Sequence, residues 1–167
     1  MTSETVNKSG LSHQPAAAEP APAVTEEDIT LANLYRDAVI EHAVVPVGYR
    51  QQIAVTHRHE LYNPLCGDRV EIQFQVVQDK ILAAAFDGEA CAICTASASM
   101  LCAAAPLKTT GDIRRQHELL VAALKDKQSK PGLESLQALL AVRRYPARVR
   151  CALLPWEAAI KALFGSS

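Results

Sequence analysis

Five cysteines are the residues of this chain best equipped for chemistry: Cys66, Cys91, Cys94, Cys102 and Cys151. Three of them stand beside unusual backbone punctuation. Cys66-Gly67-Asp68 follows Asn63-Pro64, Cys91 follows Asp87-Gly88-Glu89, and Cys151 follows Arg148-Val149-Arg150. Cys91 and Cys151 are expected at helix N-termini, where aligned backbone N–H groups favour a thiolate. With Asp68 as a fourth donor, three sulfurs and one oxygen suit a borderline-soft ion such as Zn²⁺ in tetrahedral geometry. The separations, 25 residues from Cys66 to Cys91 and 60 from Cys91 to Cys151, match no compact zinc-finger spacing. Spacing alone leaves a shared metal site, buried apolar cysteines and separate nucleophiles all open.

Cys91-Ala92-Ile93-Cys94 also has the CxxC form of a thioredoxin-like redox pair, but no βαβ pattern surrounds it. Cys94 and Cys102 are expected to be small buried hydrophobes. Roughly 16 Å of helix between Cys91 and Cys102 keeps those two from sharing one ion. The other tempting residues have plainer explanations. His57-Arg58-His59 is expected as exposed polar side chains at a strand end, and His42 and His117 as polar-face or hydrogen-bonded helical residues. Arg143, Arg144, Arg148 and Arg150 form a basic cluster that is either a solvated face or a neighbour of the metal. Trp156 is expected to pack the last helix.

These residues need elements to hold them. Leu31, Leu34, Tyr35 and Ala38 follow the i, i+3, i+4, i+7 spacing of a helix that starts near Thr30, with Asp28 or Thr30 as its cap. Pro46 and Gly48 end it. Gln52 to Thr56 is expected as a short strand. From Arg69 to Val77, Val70, Ile72, Phe74 and Val76 alternate with polar residues, the mark of a half-exposed antiparallel strand. A turn at Gln78-Asp79-Lys80 leads to a strand from Ile81 to Phe86, and Asp87-Gly88 closes the sheet. Residues 91–105, Ile113 to Leu124, Leu133 to Val142 and Cys151 to Phe164 then favour helix. The order predicts an α+β domain: an N-terminal helix, a small three-stranded antiparallel sheet, then helices packed on one face.

Composition narrows the function. The chain has 167 residues, 49% hydrophobic and 21% charged, with a net charge of −1. That balance and an aromatic content of 5% argue against a nucleic-acid partner, bound either by bulk charge or by stacking. No apolar run reaches the ~20 residues of a membrane span. Residues 1–29 hold one basic and five acidic residues and are rich in Ala and Pro. They are expected as a flexible tail, with 30–167 as the domain. With no export signal in this stretch, the expected location is the cytoplasm, where the cysteines stay reduced.

Longer words in the sequence carry a resemblance. Leu34-Tyr35-Arg36 to Glu41-His42, Asn63-Pro64-Leu65-Cys66-Gly67-Asp68, Phe86-Asp87-Gly88-Glu89-Ala90-Cys91-Ala92-Ile93, Ala96-Ser97-Ala98-Ser99-Met100 and Arg148-Val149-Arg150-Cys151-Ala152-Leu153-Leu154-Pro155-Trp156 resemble the NifU/IscU-like family of iron–sulfur assembly proteins. The pattern is most similar to the SufU branch: the Cys91-to-Cys151 gap is long, and Arg150 stands where IscU-type scaffolds have His. Ala90 departs from the usual Gly, which would tighten the turn into the ligand helix.

The resemblance implies a SufE/NifU-like fold. It also implies a metal set of Cys66, Asp68, Cys91 and Cys151, and makes Arg148 an arginine typical of SufU-type proteins, placed to balance the site's negative charge. The implied function is sulfur transfer. A SufS-type cysteine desulfurase would deliver sulfur to Cys66, the acceptor, at a Zn²⁺ site, for passage to downstream SUF scaffold proteins. In that family a partner histidine is thought to take the zinc position and free one thiolate. The alternatives are a scaffold that builds a transient [2Fe–2S] cluster or holds iron on the same cysteines, a structural zinc domain, and a CxxC oxidoreductase that would need Cys94.

Overall fold

A computed structural model describes residues 26–126 and 132–165. The expected tail falls almost wholly outside these residues. The chain enters through α1 (Glu26–Val44), four residues before the expected start at Thr30. Glu26-Glu27-Asp28 suits this earlier start, because acidic residues favour the positive end of a helix. Gly48, at φ +82°, then turns the chain tightly against Ala84 and Cys102.

Three strands follow, β1 (His57–Asn63), β2 (Asp68–Val77) and β3 (Lys80–Glu89), antiparallel in the order β1-β2-β3. Leu61 pairs with Val70 and His59 with Ile72, while Ile72 pairs with Phe86 and Phe74 with Ala84. Gln78 and Asp79 both take positive φ, the geometry a tight hairpin requires. Two expectations are corrected here. Gln52 to Thr56 is not a strand of the sheet; Thr56 instead caps it, donating N–H to Phe74 O at 2.8 Å and accepting from Val76 N–H at 2.8 Å. The edge strand is His57–Asn63: His57, Arg58 and His59 do stand at its start, but only Arg58 is exposed, and the two histidines are half-buried. The sheet closes at Glu89, one residue past Asp87-Gly88, as expected. Gly88 lies within β3 opposite Val70, where a Cβ would come 2.0 Å from Arg69 O.

α2 (Ala92–Ala104) and α3 (Thr110–Lys125) match expectation, and Thr109 with Asp112 makes a reciprocal cap at the start of α3. Residues 134–144 are a 3₁₀ helix (Glu134–Arg144) rather than an α-helix. The reason lies in their spacing: Leu133, Leu136, Leu139 and Val142, all buried, recur every three residues, the period of a 3₁₀ stripe. The last helix, α4 (Pro146–Phe164), begins five residues earlier than Cys151, with Pro146 in its first turn.

The helices bury one face of the sheet. α4 lies on β1 and β2, and α2 on β3, with α1 against α2. Val70, Ile72, Phe74, Ile81, Leu101 and Trp156 fill the space between, and Trp156 is fully enclosed as expected. Among the described residues, no helix is long and apolar enough to cross a membrane.

Candidate metal centre

The site is assembled at the β1–β2 turn, where α2 presents its first turn and α4 its second. Asn63 organises this turn. Its side-chain Oδ1 accepts from Leu65 N–H at 3.2 Å, and its carbonyl accepts from Cys66 N–H at 3.3 Å and Gly67 N–H at 2.9 Å. Gly67 takes φ +72° with nothing within 4 Å of where a Cβ would stand, so backbone conformation alone calls for glycine. Cys66 is left half-buried on a short, open turn beside an exposed Leu65.

Asp68 begins β2 and is only 1% exposed. Its Oδ1 accepts from Cys91 N–H at 2.7 Å, while its Oδ2 is buried without a hydrogen-bond partner. A buried carboxylate oxygen left bare is costly unless a cation or donor meets it. Cys91 is the N-cap of α2, as expected, and half-buried. Ala90 before it is exposed, and its φ is not positive, so the turn into α2 accommodates a side chain where the family usually has Gly.

Cys151 is not at a helix N-terminus; it is the sixth residue of α4. The thiolate stabilisation expected there therefore falls away. Cys151 is buried, its Sγ lies 3.2 Å from Cys66 Sγ, and it donates back to Ala147 O at 3.4 Å. Burial pushes its thiol pKa up, and the neighbouring Asp68, Cys66 and Cys91 push it further. Donor atoms of Cys66, Asp68 and Cys151 lie within 4.8 Å of one another. Cys91 is outside that mutual cluster, tied to it through Asp68 and through its sulfur's interaction with Cys151. Arg148, exposed on the first turn of α4, is held in its charged form by Cys91 and Cys151.

This donor set fits a borderline-soft divalent ion. It offers soft sulfurs, one hard oxygen with no partner, and a cation outside to offset the negative charge. Arg143 belongs to the fold instead, donating to Leu140 O and Asp126 O, whereas Arg144 and Arg150 are exposed. His42 makes the satisfied hydrogen bond expected of it. Its Nδ1 lies 2.7 Å from Ser99 Oγ, which also accepts from Val47 N–H at 2.8 Å. His117 is half-buried, and burial lowers its pKa. Asn63 is the site residue that sequence reasoning missed; its Asn-Pro start was the available signal of a turn.

A model of the NifU-like N-terminal domain matches residues 34–152, so the chain belongs to that family, the SufU/IscU-like group of iron–sulfur cluster assembly proteins. Among its relatives, the zinc-dependent sulfurtransferase SufU of Bacillus subtilis (strain 168) is 30% identical over 137 residues, covering 80% of this chain and 91% of that protein. The iron–sulfur cluster assembly scaffold protein IscU of Streptococcus pyogenes serotype M1 is 29% identical over 136 residues, covering 80% and 84%. The crystal structure of a nitrogen-fixing NifU-like protein (N-terminal) from Brucella abortus superimposes with a TM-score of 0.71 over 80% of this chain and 94% of that one. At 21% identity it supports the fold alone.

Proposed function

We propose that this protein accepts sulfur on Cys66 from a SufS-type cysteine desulfurase and passes it to downstream SUF scaffold proteins. Cys66, Asp68, Cys91 and Cys151 would hold Zn²⁺, which when bound keeps thiols ionised at neutral pH. The observation that carries this reading is the half-exposed Cys66 sulfur on an open turn, 3.2 Å from a buried thiol and beside a buried carboxylate with one bare oxygen. In the transfer, the Cys66 thiolate attacks the outer sulfur of the donor's cysteine persulfide. A bond forms from Cys66 to that sulfur, the donor's sulfur–sulfur bond breaks, and the donor cysteine leaves as a thiolate. No outside oxidant is needed. Arg148, beside Cys91 and Cys151, offsets the charge of the ionised sulfurs.

A scaffold for a transient [2Fe–2S] cluster is the second reading, favoured by the near-equal identity to an IscU. Metal analysis with an absorbance spectrum of protein purified without oxygen separates the two. Sulfur transfer predicts one zinc per chain and no visible band; a brown, iron-containing protein would overturn it. We also take the residues before α1 to be a tail outside the domain, and the protein to act in the cytoplasm. Since α1 starts at Glu26, a chain lacking residues 1–25 is expected to keep the same metal stoichiometry.

A further inference from the structure

Two sulfurs of the site lie in direct contact. Cys66 Sγ and Cys151 Sγ stand 3.2 Å apart, although 85 positions separate them in the sequence. One tetrahedral zinc with bonds of about 2.3 Å would space two sulfurs by about 3.8 Å, and a disulfide spaces them by about 2.05 Å. The pair stands between those limits, within about 1.2 Å of a covalent bond. The two supports suit that closure. Cys66 is half-buried on the turn between exposed Leu65 and Gly67, where nothing lies within 4 Å of an added Cβ, so it has room to move. Cys151 is fully buried in α4 and stays where it is. The other cysteines are less well placed. Cys91 lies outside the mutual cluster with its N–H tied to Asp68, and Cys94 and Cys102 are buried in the core.

We infer that Cys66 and Cys151 are a redox modification site, closed to a reversible disulfide by hydrogen peroxide. The Cys66 thiolate attacks one peroxide oxygen, the oxygen–oxygen bond breaks, and hydroxide leaves, so that Cys66 becomes a sulfenic acid. The Cys151 sulfur then attacks Cys66 Sγ, the sulfur–oxygen bond breaks, and water leaves with the Cys151 proton. In sum two thiols lose two electrons, the peroxide gains them, and both of its oxygens end as water. A thiol reductant reverses the bond by exchange. Closure also keeps Cys66 from reaching sulfinic acid, which thiols do not reverse. It takes the acceptor sulfur out of use and removes two donors from the metal. Those two consequences rest on the function proposed above; the bond itself does not. Where thiols are kept reduced, such a bond is transient and regulatory rather than structural.

To test this, full-length zinc-loaded protein is treated with hydrogen peroxide, its free thiols are alkylated, and intact mass and peptide maps are read. Two of the five cysteines are expected to be consumed, with one cross-link joining Cys66 to Cys151. Zinc should leave as the bond forms, seen with a coloured chelator, and dithiothreitol should restore all five thiols. Cleared of peroxide, the oxidised protein is then offered Co²⁺, whose thiolate-to-metal absorption in the near ultraviolet reports bound sulfur. That absorption should fall to about one third of the reduced protein's or less, since one of three candidate sulfurs remains. Cys151→Ser should give no cross-link and sulfinic acid at Cys66. A wild-type cross-link from Cys66 to Cys91, or sulfinic acid at Cys66 without a cross-link, would overturn the inference. If Cys151→Ser fails to fold, the wild-type map decides alone. A Cys66–Cys151 cross-link in a chain that takes up no zinc would support the inference and overturn the zinc reading instead.

Discussion

Two supports meet at the metal centre, and they are built on opposite principles. The Cys66 turn is short, open to solvent at Leu65 and Gly67, and held by the Asn63 side chain and carbonyl. The α4 seat of Cys151 is regular helix whose thiol is fully buried and back-bonded to Ala147 O. A ligand on the first support can leave with little loss of packing. A ligand on the second cannot move without opening the core around Trp156 and Ala152. The difference assigns labour: one cysteine to react, the other to retain.

The sharpest break of this comparison is Cys66→Ala. Loss of the acceptor sulfur is expected to abolish stimulation of the desulfurase in a sulfide-release assay. Because the residue is half-buried on an open turn, stability should change by no more than about 0.5–1 kcal/mol. Full stimulation by this variant would move the reactive role to another cysteine.

Asp68→Ala probes the joint between the two supports. The change removes a hydrogen bond to Cys91 N–H and also a buried oxygen that has no partner. Each term is about 1–3 kcal/mol and they oppose one another in metal-free protein, so its stability is expected to change little. With zinc bound the bare oxygen is engaged, only the loss remains, and the variant should be less stable than wild type by about 1–3 kcal/mol. Zinc is retained on the thiolates but less tightly, and desulfurase stimulation falls. Thermal melts with and without zinc check the sign; equal losses in both states would mean that Asp68 serves only as the cap of Cys91.

The sequence made the reactive support easier to see than the retaining one. Asn63-Pro64 and Gly67 announce a turn, and the strict alternation of Val70, Ile72 and Phe74 places β2 directly after it. β1 was hidden because its inward positions include His57, His59 and Asn63, so no apolar alternation marks it. Cys151 sits one turn deeper than its own helical run suggests because Pro146, which would break a helix interior, is at home in the first turn of α4. The hydrogen bond from Cys91 N–H to Asp68 spans 23 residues, and no local pattern encodes it. The period of three in Leu133, Leu136, Leu139 and Val142 is legible as a 3₁₀ stripe, whereas propensity alone says only that the segment is helical.

Gly67→Ala tightens the open turn without touching a ligand. No atom stands near the new methyl group, so the cost is the left-handed backbone alone, about 1–2 kcal/mol. The contrast is Gly88, where a Cβ would meet Arg69 O at 2.0 Å and the backbone must shift. Denaturant titration of the two alanine variants should rank Gly88→Ala well below Gly67→Ala in stability. A Gly67→Ala loss as large as that of Gly88→Ala would show that the Cys66 turn is as rigid as the sheet, and the proposed division of labour would fail.

The smallest effect is expected three turns along α2 from Cys91, at Cys102. This side chain is 2% exposed, and a methyl group on Gly48 would stand 2.9 Å from its Cβ, so it fills the crossing of α2 with the turn after α1. Cys102→Ala removes one sulfur from that contact and leaves the close approach of Gly48 intact. The loss should be about 1 kcal/mol, toward the low end for a buried truncation, because little volume goes and alanine is the best helix former. Metal stoichiometry and the cobalt–thiolate spectrum should match wild type, since no charged group of the site acts on this thiol. Cys102 therefore serves as the control for Cys91 on the same helix. A drop in cobalt–thiolate absorption in Cys102→Ala would mean that disturbing the α2 core is enough to alter the site, and a change at Cys91 could then no longer be read as loss of a ligand.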